Sequence, residues 1–112
     1  MAKNIRKGKE GEWMAAAFLE ARNGRILEYN YRSGRGEIDL IVLLNETILF
    51  VEVKRRKNAL YGFPETFVRA EKAGLIRKTA EDYILQQNWQ GRIRFDIISI
   101  LGEKIEWFED AF

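Results

Sequence analysis

Runs of apolar residues, some alternating with polar ones at every second position, predict most of the β-structure in this chain. β-Branched and aromatic residues are frequent in these runs, and short polar or glycine-containing segments separate them. The predicted strands cover residues 25–32, 36–44, 47–56 and 92–101, with a short fifth strand at 104–108.

Two further segments have the apolar spacing of amphipathic helices. The first covers residues 8–22 and ends at Asn23-Gly24, a pair that suits a helix C-cap. The second follows a loop that contains Gly62 and Pro64 and runs to about Gln87, with the proline suited to a first helical turn.

The order αβββαβ(β) predicts an α/β fold in which helices flank a mixed β-sheet. The long second helix can carry the chain across the sheet, so the fourth strand is expected to run parallel to the third. No linker or repeat interrupts the pattern, and we expect one domain over residues 1–112.

The turn between the second and third strands determines which of their residues face each other. A two-residue loop at Asn45-Glu46 pairs Leu44 with Thr47. Continued along both strands, this register places Asp39 opposite Glu52, and Glu37 opposite Lys54, with all four side chains on one face. The other face then carries an apolar set: Ile38, Leu40, Val42 and Leu44 against Leu49, Val51 and Val53.

Directly opposed carboxylates, about 5 Å apart at Cβ, repel each other. A divalent cation between Asp39 and Glu52 would convert that repulsion into binding energy, since Mg²⁺ prefers carboxylate oxygens. In the alternative interpretation Lys54 pairs with Glu37 or Glu52, and Asp39 is protonated or solvated. The residues alone leave both interpretations open.

The absence of cysteine and histidine narrows the chemistry further. It excludes disulfides, thiolate nucleophiles, histidine bases and zinc sites built from either residue. An enzyme of this composition would use carboxylates, lysine and a hard cation. Lack of cysteine suits the cytoplasm, and no apolar run is long enough to span a bilayer. The basic-then-apolar N-terminus is interpreted as a helix of the domain rather than as a signal peptide.

The net charge of +2 is unevenly distributed. Residues 1–53 balance at 0, residues 54–78 carry +6, and residues 79–112 carry −4. A basic excess directly after FVEVK indicates a polyanionic partner, although a solvated loop and helix face would give the same count.

The sequence resembles the YraN-like family of predicted endonucleases, distant relatives of archaeal Holliday junction resolvases in the PD-(D/E)xK nuclease superfamily. GEIDLI (36–41) and FVEVK (50–54) at this separation carry most of the resemblance. Matching positions elsewhere run nearly from end to end: Gly11-Glu12, Gly24, Asn30, Arg56, Gly62, Pro64, Lys72, Arg94-Phe95-Asp96 and Ala111-Phe112. Leu75 departs from the pattern, which has a basic residue at this position.

The resemblance implies a restriction-endonuclease-like fold and a catalytic site composed of Asp39, Glu52, Lys54 and Glu12. Asp39 and Glu52, with Glu12 from the first helix, would hold Mg²⁺ or, in its place, Mn²⁺. Lys72 would have an auxiliary role. A helix-start glutamate such as Glu12 can also simply complement the helix dipole, and a lysine such as Lys72 can extend past an apolar stripe without any function.

The expected activity is therefore hydrolysis of phosphodiester bonds in branched or structured DNA. Basic residues would hold the DNA backbone without reading bases: Arg55, Arg56, Lys57, Arg69, Arg77 and Lys78. The resemblance also implies that the chain could act as a homodimer. The competing hypothesis is a non-catalytic module that binds nucleic acid or protein and retains only the nuclease fold. Asp96, in the alternating fourth strand, is predicted to be a structural partner of a nearby arginine.

Overall fold

A computed structural model of the chain describes residues 10–56 and 68–112. In these ranges two helices and five strands follow in the predicted order. They are α1 (Glu10–Glu20), β1 (Arg25–Ser33), β2 (Gly36–Leu44), β3 (Thr47–Arg56), α2 (Ala70–Gln87), β4 (Arg92–Leu101) and β5 (Lys104–Phe108).

The five strands form one mixed sheet in the order β1-β2-β3-β4-β5. Neighbouring strands are antiparallel except for β3 and β4, which are parallel, as predicted from the crossover through α2. A mixed sheet with two helices confirms the α/β class and is consistent with a restriction-endonuclease-like fold.

The helices cover opposite faces of the sheet, so the central strands are buried on both sides. Ala15, Ala16 and Leu19 of α1 pack with Leu40 and other residues of β2, β3 and β4. On the other face, α2 packs against a second set of β2 and β3 residues: Ile38, Ile41, Ile48 and Phe50. Charged groups at the ends of these strands therefore lie next to a low-dielectric interior.

Two predicted chain reversals are confirmed in detail. Asn23 has a φ of 74°, and the amide of Gly24 donates to the Leu19 carbonyl at 2.8 Å, which closes the C-terminus of α1. Asn45 and Glu46 both have positive φ, 49° and 65°, as a two-residue hairpin turn of type I′ requires. The predicted register between β2 and β3 follows, from Leu44–Thr47 to Leu40–Val51.

The start of α2 differs from the prediction. The helix begins at Ala70, because Arg69, the N-cap residue, has an extended ψ of 146°; its side chain does not cap the helix. The predicted loop with Gly62 and Pro64 lies outside the described residues. In the described ranges, no helix is long and apolar enough to cross a membrane.

A close backbone approach fixes α2 against the start of β2. A Cβ built on Gly36 would lie 1.9 Å from Oγ1 of Thr79, and 3.2 Å from the carbonyl oxygen of Leu75. A hydrogen bond of 2.6 Å from Ser33 Oγ to Asp82 attaches β1 to the same helix. Only glycine at position 36 allows the helix to lie this close, and the contact determines where the first turn of α2 reaches the sheet.

Asp96 anchors the C-terminal segment from inside the fold, and its predicted arginine partner is confirmed. Its carboxylate is fully buried and accepts two hydrogen bonds from Arg94, at 2.9 and 2.8 Å. Trp107 Nε1 and the backbone amide of Asp110 donate to it as well, both at 2.9 Å. The network ties β4 to β5 and to the residues that follow.

Asp96→Ala should destabilise the protein by about 3 kcal/mol, because it leaves a half-buried guanidinium and an indole N–H without their acceptor. Glu109→Ala is the matched control, since Glu109 is an exposed carboxylate 3.6 Å from the same arginine; it should change stability by less than about 0.5 kcal/mol. Urea denaturation of both variants measures the difference. Equal effects would contradict the structural role given to Asp96.

Gly36→Ala should cost roughly 1–3 kcal/mol, because the added methyl group overlaps the Thr79 hydroxyl and forces α2 away from β2. Thr79→Ala removes that hydroxyl, so Gly36→Ala combined with Thr79→Ala should be less destabilised than the sum of the single changes. A double-mutant cycle by chemical denaturation measures this coupling. Strict additivity would show that this contact does not limit the approach of the helix.

Candidate active site

A kink in β1 and β2 positions the candidate site. Tyr29 and Leu40 form one pair of the β1–β2 ladder and pack on the α1 side, whereas the next pair, Tyr31 and Ile38, packs on the α2 side. Asn30, between the two tyrosines, has a φ of 48° and a buried Nδ2 without a hydrogen-bond partner. Both features cost free energy, so the surrounding packing must maintain the kink. The prediction that Ile38 shares a face with Leu40 is wrong for this reason.

Asp39 lies at the kink and leaves the regular ladder. Pairing between β2 and β3 ends at Leu40–Val51, so the predicted backbone pair of Asp39 with Glu52 does not form. Instead the carboxylate of Asp39 accepts a hydrogen bond of 2.7 Å from the backbone amide of Val53. The side chain of Asp39 is thereby fixed next to β3, beside the residue that follows Glu52.

Glu52 is a buried carboxylate whose partner is a lysine from α2. Its side chain is only 7% exposed, and one of its oxygens accepts a hydrogen bond from Nζ of Lys72. The lysine side chain is 55% exposed, so its stem reaches into the site from the surface. The apolar stripe of α2 indicated that Lys72 faces the sheet, but the sequence did not identify its partner.

Electrostatics link the acidic residues of the site. Burial raises the pKa of Asp39 to about 8, and the negative charges of Glu52 and, more weakly, Glu12 act in the same direction. The hydrogen bond from Val53 and the positive charge of Lys72 oppose this increase. The raised pKa favours the neutral form of Asp39 in the metal-free protein, chiefly because burial penalises its charge and also because Glu52 repels it.

The pKa of Lys72 depends on the same two influences, burial and neighbouring charges. Burial lowers its pKa, but the hydrogen bond to Glu52 and the charges of Glu52, Asp39 and Glu37 outweigh burial and raise it. The ammonium group is thus surrounded by acidic side chains and stays charged. It supplies the positive charge that the cluster requires.

An open cavity of about 470 Å³ lies in front of these groups. All but one of its lining residues belong to β2, β3 or α2. The full set is Arg35, Gly36, Glu37, Asp39, Glu52, Glu71, Lys72, Leu75 and Ile76. Sequence reasoning missed Arg35 and Glu71 here, although each directly precedes a residue of the family pattern. Leu75, where that pattern has a basic residue, lines the wall with apolar surface.

Glu12 and Lys54 are not among the residues that line the cavity. Glu12 is half-buried near the start of α1, on the opposite face of the sheet from α2, and its charge acts on Asp39. Lys54 follows Glu52 by two residues along β3 and is half-buried beside Ser99 of β4. Their catalytic roles stay predictions.

The basic residues expected to contact DNA lie on two sides of the sheet. Arg55 packs near Gly11 of α1 and forms an ion pair with Glu10 at 2.9 Å. Arg77 lies on α2 with its guanidinium 5.1 Å from the Phe95 ring centroid, and Lys78 beside it is exposed. Arg56 ends β3, and Arg69 precedes α2. Lys57 lies outside the described residues.

The two carboxylates of the site are a number and a type of ligand that suit a hard cation. Among the described residues, no group of three or more acidic side chains is arranged to hold a metal ion. Mg²⁺, however, is commonly held by one or two carboxylates and completes its octahedron with waters and substrate phosphates. Asp39 and Glu52 supply such a pair next to an open cavity, and a cation would offset the burial and the repulsion from Glu52 that together raise the Asp39 pKa.

Among known protein families, the family described as "Uncharacterised protein family UPF0102" matches residues 11–100 of this chain. A UPF0102 protein of Cytophaga hutchinsonii is 53% identical over 102 residues, covering 91% of this chain and 90% of the relative. A UPF0102 protein of Persephonella marina is 45% identical, with coverage of 95% and 92%. One from Syntrophus aciditrophicus is 43% identical, with coverage of 100% and 92%.

The pKa of Asp39 predicts a pH dependence of stability in the metal-free protein. Its folded-state pKa of about 8 exceeds the ordinary 3.8, so above pH 4 the folded state retains a proton that the unfolded chain has lost. Stability should therefore fall as pH rises from about 4 to 8. Asp39→Asn can still accept the Val53 amide and should remove this decline. Urea denaturation with chelator across this pH range tests the difference, and parallel curves for both proteins would contradict it.

Proposed function

The chain belongs to the UPF0102 family, and we propose that it is a Mg²⁺-dependent endonuclease that hydrolyses phosphodiester bonds in branched or structured DNA. Family membership agrees with the resemblance noted from the sequence. The further relationship to Holliday junction resolvases and PD-(D/E)xK nucleases is part of the proposal.

One observation carries the proposal: two carboxylates, Asp39 and Glu52, meet beside an open cavity, and the charge of Glu52 helps to raise the pKa of Asp39. Keeping acidic groups this close is costly for a protein that gains nothing from them. Perturbed carboxylates in a cleft are typical of functional sites. Their oxygen chemistry, without histidine or cysteine, is suited to Mg²⁺, with Mn²⁺ as a substitute.

A metal held by Asp39 and Glu52 would supply Lewis acidity towards the phosphate and favour ionisation of an attacking water. Glu12 would act on this pair through its negative charge, since the described residues form no metal site of three acidic side chains. The chain's own groups have distinct tasks. The Val53 amide fixes the Asp39 carboxylate in place. Lys54, two residues beyond Glu52, would orient the water and offset the charge that develops on the phosphate. Lys72 contacts Glu52 and stabilises the site.

DNA would be held through its phosphates rather than its bases. Residues 54–78 carry a charge of +6, and the exposed basic side chains there can neutralise phosphates without reading sequence. We therefore expect selection by DNA shape and steep dependence of binding on salt. A homodimer would present two such sites to a branched substrate.

Purified protein should cleave a labelled four-way junction or flap faster than linear duplex of the same sequence, and only with Mg²⁺ or Mn²⁺. Asp39→Asn and Glu52→Gln should each abolish cleavage, and Lys54→Met should slow it about 100-fold or more. Denaturing gels measure the rates, and circular dichroism verifies that each variant is folded.

Glu109→Gln removes an exposed carboxylate in contact with Arg94 and serves as the matched control, with an unchanged rate expected. Cleavage that survives in either Asp39→Asn or Glu52→Gln would refute the site. Salt-dependent binding of the junction without cleavage under any metal condition would instead identify a binding module with this fold.

A further inference from the structure

Lys72 occupies a position that a cation bound to Glu52 would need. The lysine projects from the first turn of α2, and its Nζ donates directly to the Glu52 carboxylate. Glu52 is 7% exposed, whereas Lys72 is 55% exposed. A buried carboxylate without a counter-charge is strongly destabilising, so this contact stabilises the protein as long as no other cation is present.

The two partners differ in their freedom to move. Glu52 lies within β3, which is hydrogen-bonded to β4, and its rotation is limited by burial. Lys72 reaches the site through a long, flexible and largely exposed side chain. Exchange at Glu52 therefore requires only the ammonium to swing outwards, while the helix stays fixed by the contact between Gly36 and Thr79.

We propose that Lys72 is the resident counter-ion of Glu52, which a divalent cation must displace, and that this competition sets the cation affinity of the site. The inference rests on the proposed function only in requiring a divalent cation at Asp39 and Glu52. The net affinity equals the gain from the incoming ion minus the loss of the lysine contact. The displaced ammonium stays next to the cavity, where a phosphate oxygen is a suitable new partner.

Competition predicts opposite effects of Lys72 on the two states of the protein. Without metal, Lys72→Met leaves Glu52 buried and unpaired, so thermal stability in chelator should fall. When metal is added, Lys72→Met has no ammonium group to compete for Glu52. Its affinity for Mg²⁺ or Mn²⁺ should therefore increase about tenfold, which corresponds to the free energy of one charged hydrogen bond. A purely structural lysine would lower both stability and affinity.

Isothermal titration calorimetry with MgCl₂ and MnCl₂ alone, without DNA, measures the affinity, and thermal unfolding with chelator measures the metal-free state. Lys78→Met is the matched control, because it removes an exposed lysine from the same helix. It alters the net charge equally and should change neither quantity. Lys72→Arg keeps the charge and should retain the wild-type affinity. Lys72→Gln provides a polar neutral variant should Lys72→Met fail to fold.

Tighter metal binding in Lys72→Met or Lys72→Gln, with control values unchanged, supports the inference. Equal or weaker binding in the neutral variants overturns it. Metal binding that is strengthened by Lys72→Met and lost in Asp39→Asn, in a protein that cleaves no DNA, would support the inference while refuting nuclease activity. Absence of metal binding in every variant would overturn both the competition and the metal centre.

Discussion

Burial of two neighbouring carboxylates, Asp39 and Glu52, is the main electrostatic constraint at this end of the sheet. Helices cover both faces of the central strands, so the two carboxylates lie next to an apolar interior that screens charge poorly. The protein reduces the cost in two ways. The pKa of Asp39 is raised to about 8, which favours its neutral form, and Lys72 forms an ion pair with Glu52. Under the metal proposal, a cation at this site would take the place of both the proton and the lysine.

Close packing of α2 against β2 allows Lys72 to reach Glu52. Lys72 reaches Glu52 because Gly36 has no side chain and the helix approaches to the limit set by Thr79. A hydrogen bond between Ser33 and Asp82 holds the same helix one turn further along. The glycine thus contributes to the site indirectly, by positioning the helix that carries the lysine.

The local pattern of apolar and polar residues was sufficient to predict most of the fold. Alternation predicted the strands, and the Asn45-Glu46 turn predicted the register that holds from Leu44–Thr47 to Leu40–Val51. The same reasoning failed one residue later. A strict period of two assumes an uninterrupted strand, whereas Asn30 adopts a φ of 48° and the facing strand changes phase at Asp39. Tertiary packing selects that kink, and neither residue's neighbours in sequence reveal it.

The partner of Lys72 could not be predicted for a related reason. Helical periodicity identifies the face of α2 that meets the sheet, but the residue it meets depends on how the helix crosses the strands. Asp39 and Glu52 do line the same cavity, but the geometry that brings them there differs from the predicted one. Asp39 is oriented by the Val53 amide and not by a backbone pair with Glu52.

Charge counting along the sequence overstated the free positive surface. Residues 54–78 carry +6, yet Lys72 is bound to Glu52 and Arg55 to Glu10, both acidic residues outside that segment. Arg77 lies over an aromatic ring, on the other side of the sheet from Arg55. A polyanion would therefore have to displace Glu52 from Lys72 or Glu10 from Arg55, which lowers the free energy it gains at these side chains. In the proposed mechanism, a divalent cation arriving at Glu52 would release the lysine at the same point, so that neutralisation of the acidic pair would also free a partner for the phosphate.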